Sequence, residues 1–258
     1  MVNEGQLWSQ KAKNFPVYDE TDIQDMKTIH SIVNIVQSRG VTIDGKRIID
    51  IGCGTGRHTL TLAKKAEKVV ATDISDEMVK TLIKTSQKYS FTNVETLVCD
   101  WREADIQKNG WLKSFDIAWA AMTSAINSAD SIKKMNLCAK EHCICVAWGR
   151  KRENKILDRV FAAHGSKLAI PFSAINLSSE LDALKIPHTL DFIDNSWIST
   201  APREDAVKDM CWHLEINGIK ADIDMIDEIL YDNYRDSPEI SHETVMEMGI
   251  LVWRPISC

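Results

Sequence analysis

Ile48-Ile49-Asp50-Ile51-Gly52-Cys53-Gly54-Thr55-Gly56-Arg57-His58 joins a buried-strand pattern to a glycine-dense turn and then to the start of a helix. A glycine has no Cβ, so it reaches left-handed dihedrals and lets a ligand lie against the backbone. The spacing separates two cofactor classes. A turn that grips a pyrophosphate reads G-x-G-x-x-G, whereas the glycines here fall at 52, 54 and 56 and position 57 is arginine. Asp50 ends the strand just before the turn, a poor neighbour for a phosphate and a good one for an ammonium group. The expected ligand is zwitterionic.

Outward from this turn, three more apolar runs follow at regular intervals. Val69-Val70-Ala71-Thr72 ends in Asp73, followed by Ile74-Ser75-Asp76-Glu77-Met78. Val94 to Cys99 ends in Asp100-Trp101, and Phe115-Asp116-Ile117-Ala118-Trp119-Ala120 forms the fourth. A carboxylate at position 73 can accept from both hydroxyls of a ribose, and charge-assisted bonds of that kind contribute about 1.5–3 kcal/mol each when shielded from water. Blander readings exist for each position. Asp50 could cap the turn, Asp73 could cap the helix beginning near Asp76, and Met78 and Trp101 could be core. Cys53 reads as a small residue in a crowded turn with no base beside it.

With Asp50 through Gly56, Asp73, Asp100-Trp101 and Phe115-Asp116 in order, residues 46–125 resemble the class I S-adenosylmethionine-dependent methyltransferases. The resemblance implies an α/β, Rossmann-like fold: a seven-stranded, mostly parallel sheet with helices on both faces and an antiparallel last strand beside its predecessor. It implies S-adenosylmethionine as cofactor, S-adenosylhomocysteine as its product, and binding by Asp50, Gly52, Cys53, Gly54, Gly56, Asp73, Ile74, Met78, Asp100, Trp101 and Ala120. In such a site Asp73 holds the ribose and Asp100 the adenine amino group. No metal is implied.

Periodicity supplies the rest of the organisation. Ile23, Met26, Ile29, Ile32, Val33 and Val36 recur at helical spacing up to Gly40. Helices are predicted over 58–66, 76–88 and about 131–140. Another contains Ile156, Leu157, Val160 and Phe161. Strands are predicted over Cys143 to Trp148, His188 to Trp197 and Val245 to Trp253. Strands alternating with helices predict a parallel sheet whose chemistry lies at the carboxyl ends of its strands. Between the last two strands, residues 198–244 read as two helices, 203–216 and 222–234, forming an inserted cap. The chain is expected to be one catalytic domain: lid and helix at 1–40, cofactor core at 41–150, the rest of the sheet at 151–197 and 245–258, and the cap at 198–244.

Hydrophobic residues make up 44% and charged residues 26% of 258 residues, enough for a sizeable core. Formal net charge is -6 and the pI about 5.7, which disfavours a nucleic-acid partner. Seven cysteines, an odd count without regular spacing, suggest free thiols. Cys138, Cys143 and Cys145 interleave with apolar residues and read as core in preference to a metal or arsenic site. The N-terminus has no basic leader or apolar stretch, and no run reaches membrane-spanning length. A cytoplasmic enzyme without a membrane partner is expected.

No catalytic residue declares itself. Tyr18, His142, His213 and Glu215 are the candidate bases, each with a structural alternative. The stretch Ala121-Met122-Thr123-Ser124-Ala125 lacks the Asn-Pro-Pro clamp of enzymes that methylate exocyclic nitrogens, and no cysteine neighbours a proline as cytosine-C5 chemistry requires. Trp8, Trp197 and Trp212 are the tryptophans placed to line a pocket. The acids Asp222, Asp224, Asp227, Glu228, Asp232, Asp236 and Glu239 could attract a cation or simply face solvent. The leading expectation is a small-molecule methyl acceptor. An RNA or protein methyltransferase is the alternative, and a third reading is a cofactor-binding protein without turnover. Oligomeric state is left open.

Overall fold

The computed structural model describes residues 3–256. Seven strands form one sheet in the order β3-β2-β1-β4-β5-β7-β6. They are β1 (Arg47–Ile51), β2 (Lys68–Asp73), β3 (Val94–Val98), β4 (Phe115–Ala121), β5 (Ala139–Glu153), β6 (His188–Pro202) and β7 (Glu239–Trp253). β1 pairs in parallel with β2 and β4, β2 with β3, and β4 with β5. β7 runs antiparallel between β5 and β6, as the resemblance implied.

Crossover helices cover both faces: α2 (Ile23–Ser38), α3 (Arg57–Ala63), α4 (Asp76–Lys88), α5 (Ala129–Cys138), α6 (Lys155–Ala163) and α7 (Ala174–Ala183). Most are started by a side-chain cap. Asp22 accepts from the N–H of Asp25, Ser75 from Met78, Ser128 from Ser131 and Asn154 from Leu157. Alternation along β1 divides the core. Ile49 and Ile51 face α5, α7 and Trp101, while Ile48 faces α2 and α3 with Trp119 and Ile144. The second of these faces is also the one onto which Asp50 points.

The chain begins with α1 (Glu4–Lys11), which packs on α4 and on α8 (Arg203–Ile216). α8 and α9 (Ile223–Tyr234) lie between β6 and β7 and share a separate core with α6, built from Val160, Phe161, Met210, Leu214, Ile226 and Leu230. The expected cap of 198–244 is shorter than predicted, because β6 and β7 continue pairing from Trp197↔Thr244 to Pro202↔Glu239. Period-two alternation is weak in the exposed outer part of β6, so the sequence pattern stopped there before the ladder did. The acids of α9 and its flanks, from Asp222 to Glu239, are exposed, which fits a solvated face; Asp222 caps α9 and Asp227 pairs with Arg203.

The six described cysteines other than the terminal one are free thiols. Cys138, Cys143 and Cys145 are buried, and burial holds their thiols well above the ordinary range. Among the described residues no helix is long and apolar enough to cross a membrane.

Candidate cofactor site

A cavity opens at the carboxyl ends of β1, β2, β3 and β4, where the glycine turn, Asp73-Ile74, Met78, Asp100-Trp101 and the segment Ala121–Ala125 meet. α1 and the segment after it close its outer side with Glu4, Trp8 and Phe15. The turn is held open by three left-handed glycines, with φ of 68°, 54° and 92° at 52, 54 and 56. A Cβ on Gly52 would lie 1.9 Å from the Thr123 hydroxyl, so this position admits only glycine against the loop after β4. Gly56 turns away from the cavity: a Cβ there would lie 2.2 Å from Leu82 of α4. Its contribution is to let α3 start close to the sheet.

Asp73 is buried at the cavity wall. Its two oxygens accept from the backbone N–H groups of Gly54 (2.8 Å) and Ser75 (2.9 Å). Burial raises its pKa, Glu4 adds to that, and the backbone N–H groups oppose it. An ionised carboxyl has about four lone-pair positions, so two donors leave capacity for a ligand's hydroxyls. Asp100 is gripped in a fork by Arg102, whose nitrogens lie 2.7–3.2 Å from its oxygens, and this pairing holds its pKa low. Trp101 is buried and stacks on Trp111 at 6.1 Å between ring centroids.

Besides Gly56, two further expected contacts are displaced. Asp50 does not line the cavity: strand alternation turns it under the glycine turn, where it accepts from Thr59 of α3 at 2.6 Å. Burial pushes its pKa up to about 7, against that hydrogen bond, with Asp73 adding to the rise. It braces the turn from below. Ala120 is likewise on the inner face of β4, packed in the core, and the next residue, Ala121, reaches the cavity. Cys53, Ile74 and Met78 border the cavity directly.

The candidate bases scatter. Tyr18 is buried beside Leu60 and Leu82 and donates to Glu20. His142 pairs with Ile117 at the opposite end of the sheet. Glu215 is exposed on α8. His213, on α8, lies 3.6 Å from Asp209, which pairs with Lys11 of α1. Trp8 lines the cavity and meets Trp212 edge to face at 4.9 Å between ring centroids, whereas Trp197 is 40% exposed on the outer hairpin, beyond the cavity.

Several lining residues carried no sequence signal. Glu4 bridges the cavity mouth, accepting from Arg102 and from the Ser124 hydroxyl, each at 2.8 Å. Met122 adopts φ of 53°, which turns the chain after β4 back toward the glycine turn. His58 was detectable, as the residue after G-x-G-x-G-Arg. Its Nδ1 is sealed from solvent without a partner, and burial, then Arg57, lowers its pKa to about 3. It is therefore a neutral imidazole at neutral pH.

A family model described as a methyltransferase domain matches residues 43–164. The ribosomal RNA small subunit methyltransferase A of Mycoplasma capricolum subsp. capricolum is 33% identical over 98 residues, 38% of this chain and 34% of that protein. The chain thus spans about a third of that relative's length. Among solved structures, the YcgJ protein from Bacillus subtilis superposes with a TM-score of 0.55 at 14% identity, covering 89% of this chain and 99% of that one. A SAM-dependent methyltransferase from Aquifex aeolicus gives 0.52 at 18% identity, covering 70% and 89%. At those identities the likeness is one of fold.

Proposed function

We propose that the chain is a class I S-adenosylmethionine-dependent methyltransferase, as the methyltransferase-domain match over residues 43–164 supports, that it binds S-adenosylmethionine in this cavity, and that it methylates a small-molecule acceptor beneath the lid and cap. The observation that carries the reading is the convergence, on one cavity, of an open glycine turn, Asp73 with spare acceptor capacity, and Asp100-Trp101. These groups suit an amino-acid-bearing nucleoside. Gly52 and Gly54 let the amino-acid portion approach the backbone, Asp73 accepts from the ribose, and Asp100 and Trp101 meet the adenine. Ile74 and Met78 supply apolar walls. Asp50 acts through the turn that it braces and makes no direct contact.

When bound, the cofactor supplies a methyl group already activated by its positive sulfur. The protein's task is to hold an acceptor in line with it, and such positioning contributes about 7–11 kcal/mol. A strong base is not required, in keeping with the scatter of the candidates. Glu4, Trp8 and Phe15 exclude water from the cavity mouth. The ties between lid and cap, Trp8 against Trp212 and the Trp212 indole N–H donating to the Leu7 carbonyl at 2.9 Å, hold the lid over the cavity mouth, which favours a compact acceptor.

The second reading is an RNA acceptor, favoured by the ribosomal RNA methyltransferase relative. The net charge of -6 favours the first. Two measurements test the proposal. Asp73→Ala should weaken calorimetric binding of S-adenosylmethionine by about tenfold or more, and unchanged affinity would remove the ribose assignment. Incubation with methyl-labelled cofactor and fractionated extract should place label in small metabolites. Label in RNA alone would overturn the acceptor class.

A further inference from the structure

One turn along the lid from Trp8, a set of hydrogen-bond donors collects where α1, β5, β7 and α8 meet. Lys11 extends from the lid over the Trp212 ring at 4.8 Å and pairs with Asp209. His213 lies 3.6 Å from the same carboxylate. From the sheet side, Arg152 lays its guanidinium on Trp148 at 4.5 Å, and its Nε is buried with no partner. His242 of β7 completes the set.

The tautomer of His242 follows from its neighbours. Asn154 Oδ1 accepts from the N–H of Leu157 at 3.0 Å, so the amide nitrogen faces the other way. That nitrogen donates to His242 Nδ1 at 2.9 Å and to Thr244 at 2.7 Å. Nδ1 is thus an acceptor, and the ring proton of neutral His242 sits on Nε2, where it is available to donate. The facing acids are few. Asp209 is shared by Lys11 and His213, and Asp158 acts on Arg152.

The electrostatics agree with the geometry. Burial lowers the Lys11 pKa to about 8, and it lowers that of His213 well below the usual imidazole range, with Lys11, Arg152 and His242 adding to the fall in that order. His242 is depressed by burial and by Lys11. Each of these groups would gain from a negative charge among them. α1 rises about 1.5 Å per residue, so Lys11 stands about 5 Å along the lid from Trp8, which borders the cofactor cavity.

We propose that Lys11, Arg152, His213 and His242 form a subsite for an anionic group, carboxylate or phosphate, of the methyl acceptor. An acceptor seated there would run past Trp8 and Trp212 to the cofactor cavity, with its anionic end held between lid and cap. This rests on the small-molecule reading given above.

The test is titration of the folded protein, with S-adenosylhomocysteine present, with inorganic phosphate and separately with acetate. Tryptophan fluorescence and the imidazole resonances of His213 and His242 report binding. Saturable binding of either anion is expected, with upward movement of both imidazole titrations; which anion binds tighter identifies the group. Arg152→Gln should weaken it about tenfold, and Asp209→Asn should tighten it by removing the competing acid. A purely structural cluster would lose stability in Asp209→Asn without gaining anion affinity, and that result overturns the subsite. Absence of saturable binding, or equal affinity in all three proteins, also overturns it. Cofactor affinity and label distribution are measured in the same samples. Label entering small metabolites without anion binding removes the subsite alone, whereas label in RNA together with displacement of phosphate by a short oligoribonucleotide removes the small-acceptor reading and the acceptor subsite with it.

Discussion

The cofactor edge borders the cavity directly, the lid closes it and the cap holds the lid, and the two regions are built by different means. At the edge, the shape comes from backbone: left-handed glycines at 52, 54 and 56, the N–H groups of Gly54 and Ser75 on Asp73, and four strand ends placed by the ladder. In the lid and cap, it comes from side chains far apart in sequence, such as Lys11 with Asp209 and Trp8 with Trp212. The cap also has its own core. A backbone-built site tolerates few substitutions and keeps its pattern, while a side-chain-built enclosure can be repacked for another acceptor without disturbing the turn.

If that division holds, damage to the edge should be the more severe. Gly52→Ala places a methyl at 1.9 Å from Thr123 at φ of 68°. Left-handed strain of about 1–2 kcal/mol and overpacking of about 1–3 kcal/mol should together destabilise the protein by about 2–5 kcal/mol. Cofactor binding should be lost; denaturant melts and calorimetry report both. A variant with normal affinity would show that the turn adjusts freely.

In the cap, Met210→Ala removes a fully buried side chain and should cost about 2–5 kcal/mol. Because its cluster is separate from the cofactor edge, cofactor affinity should move by less than about twofold. Hydrogen exchange should rise in α6, α8 and α9. A large loss of cofactor affinity would show that the two regions act as one.

A pH dependence distinguishes the brace beneath the turn. Asp50 keeps its proton in the folded protein up to about pH 7, but ionises near its ordinary 3.8 when unfolded. The folded state thus binds the extra proton in that window, and this group's contribution to stability falls as pH rises from about 4 to 7. Asp50→Asn keeps an acceptor for Thr59 and removes the titration. The difference in unfolding free energy between variant and parent should grow by about 1.4 kcal/mol per pH unit there. A constant difference would mean that Asp50 is ionised in the fold. His58, held near 3, acts in the opposite sense between its folded value and the ordinary 6.5, so the parent protein alone would hide the effect.

The smallest effect is expected at the lid. Glu4→Gln weakens the bridge to Arg102 and Ser124 at a partly exposed position. Pairs of this kind contribute about 0.2–1 kcal/mol, so cofactor affinity should change by no more than about fivefold. The change should appear mainly as faster dissociation in stopped-flow measurements.

How far the sequence could be read follows the same division. Asp73, Asp100 and Trp101 were readable because each lies at or just past the carboxyl end of a strand, and parallel strands bring those ends to one edge whatever lies between. Asp50 was found and misdirected: its number marks the strand end, but only pairing and alternation decide that it faces α3. Ala120 differs from Ala121 for the same reason, since one step along a strand exchanges faces. Glu4 and Ser124 had no pattern to announce them, because they meet only where a helix far away in sequence folds across the cavity. α7 and the outer ends of β6 (198–202) and β7 (239–244) are not legible in the sequence, the strand ends because they carry few apolar residues to mark a buried face.

The sequence by itself determined the alternation of strands and helices through the first five strands and the place of the cofactor turn, because glycine spacing and strand-end acids act locally and through a regular lattice. Only the tertiary structure decided which side of the turn Asp50 takes, how the lid meets the cap, and that Lys11, Arg152, His213 and His242 share one corner. Those depend on distances between segments up to about the full chain apart, which no local propensity encodes.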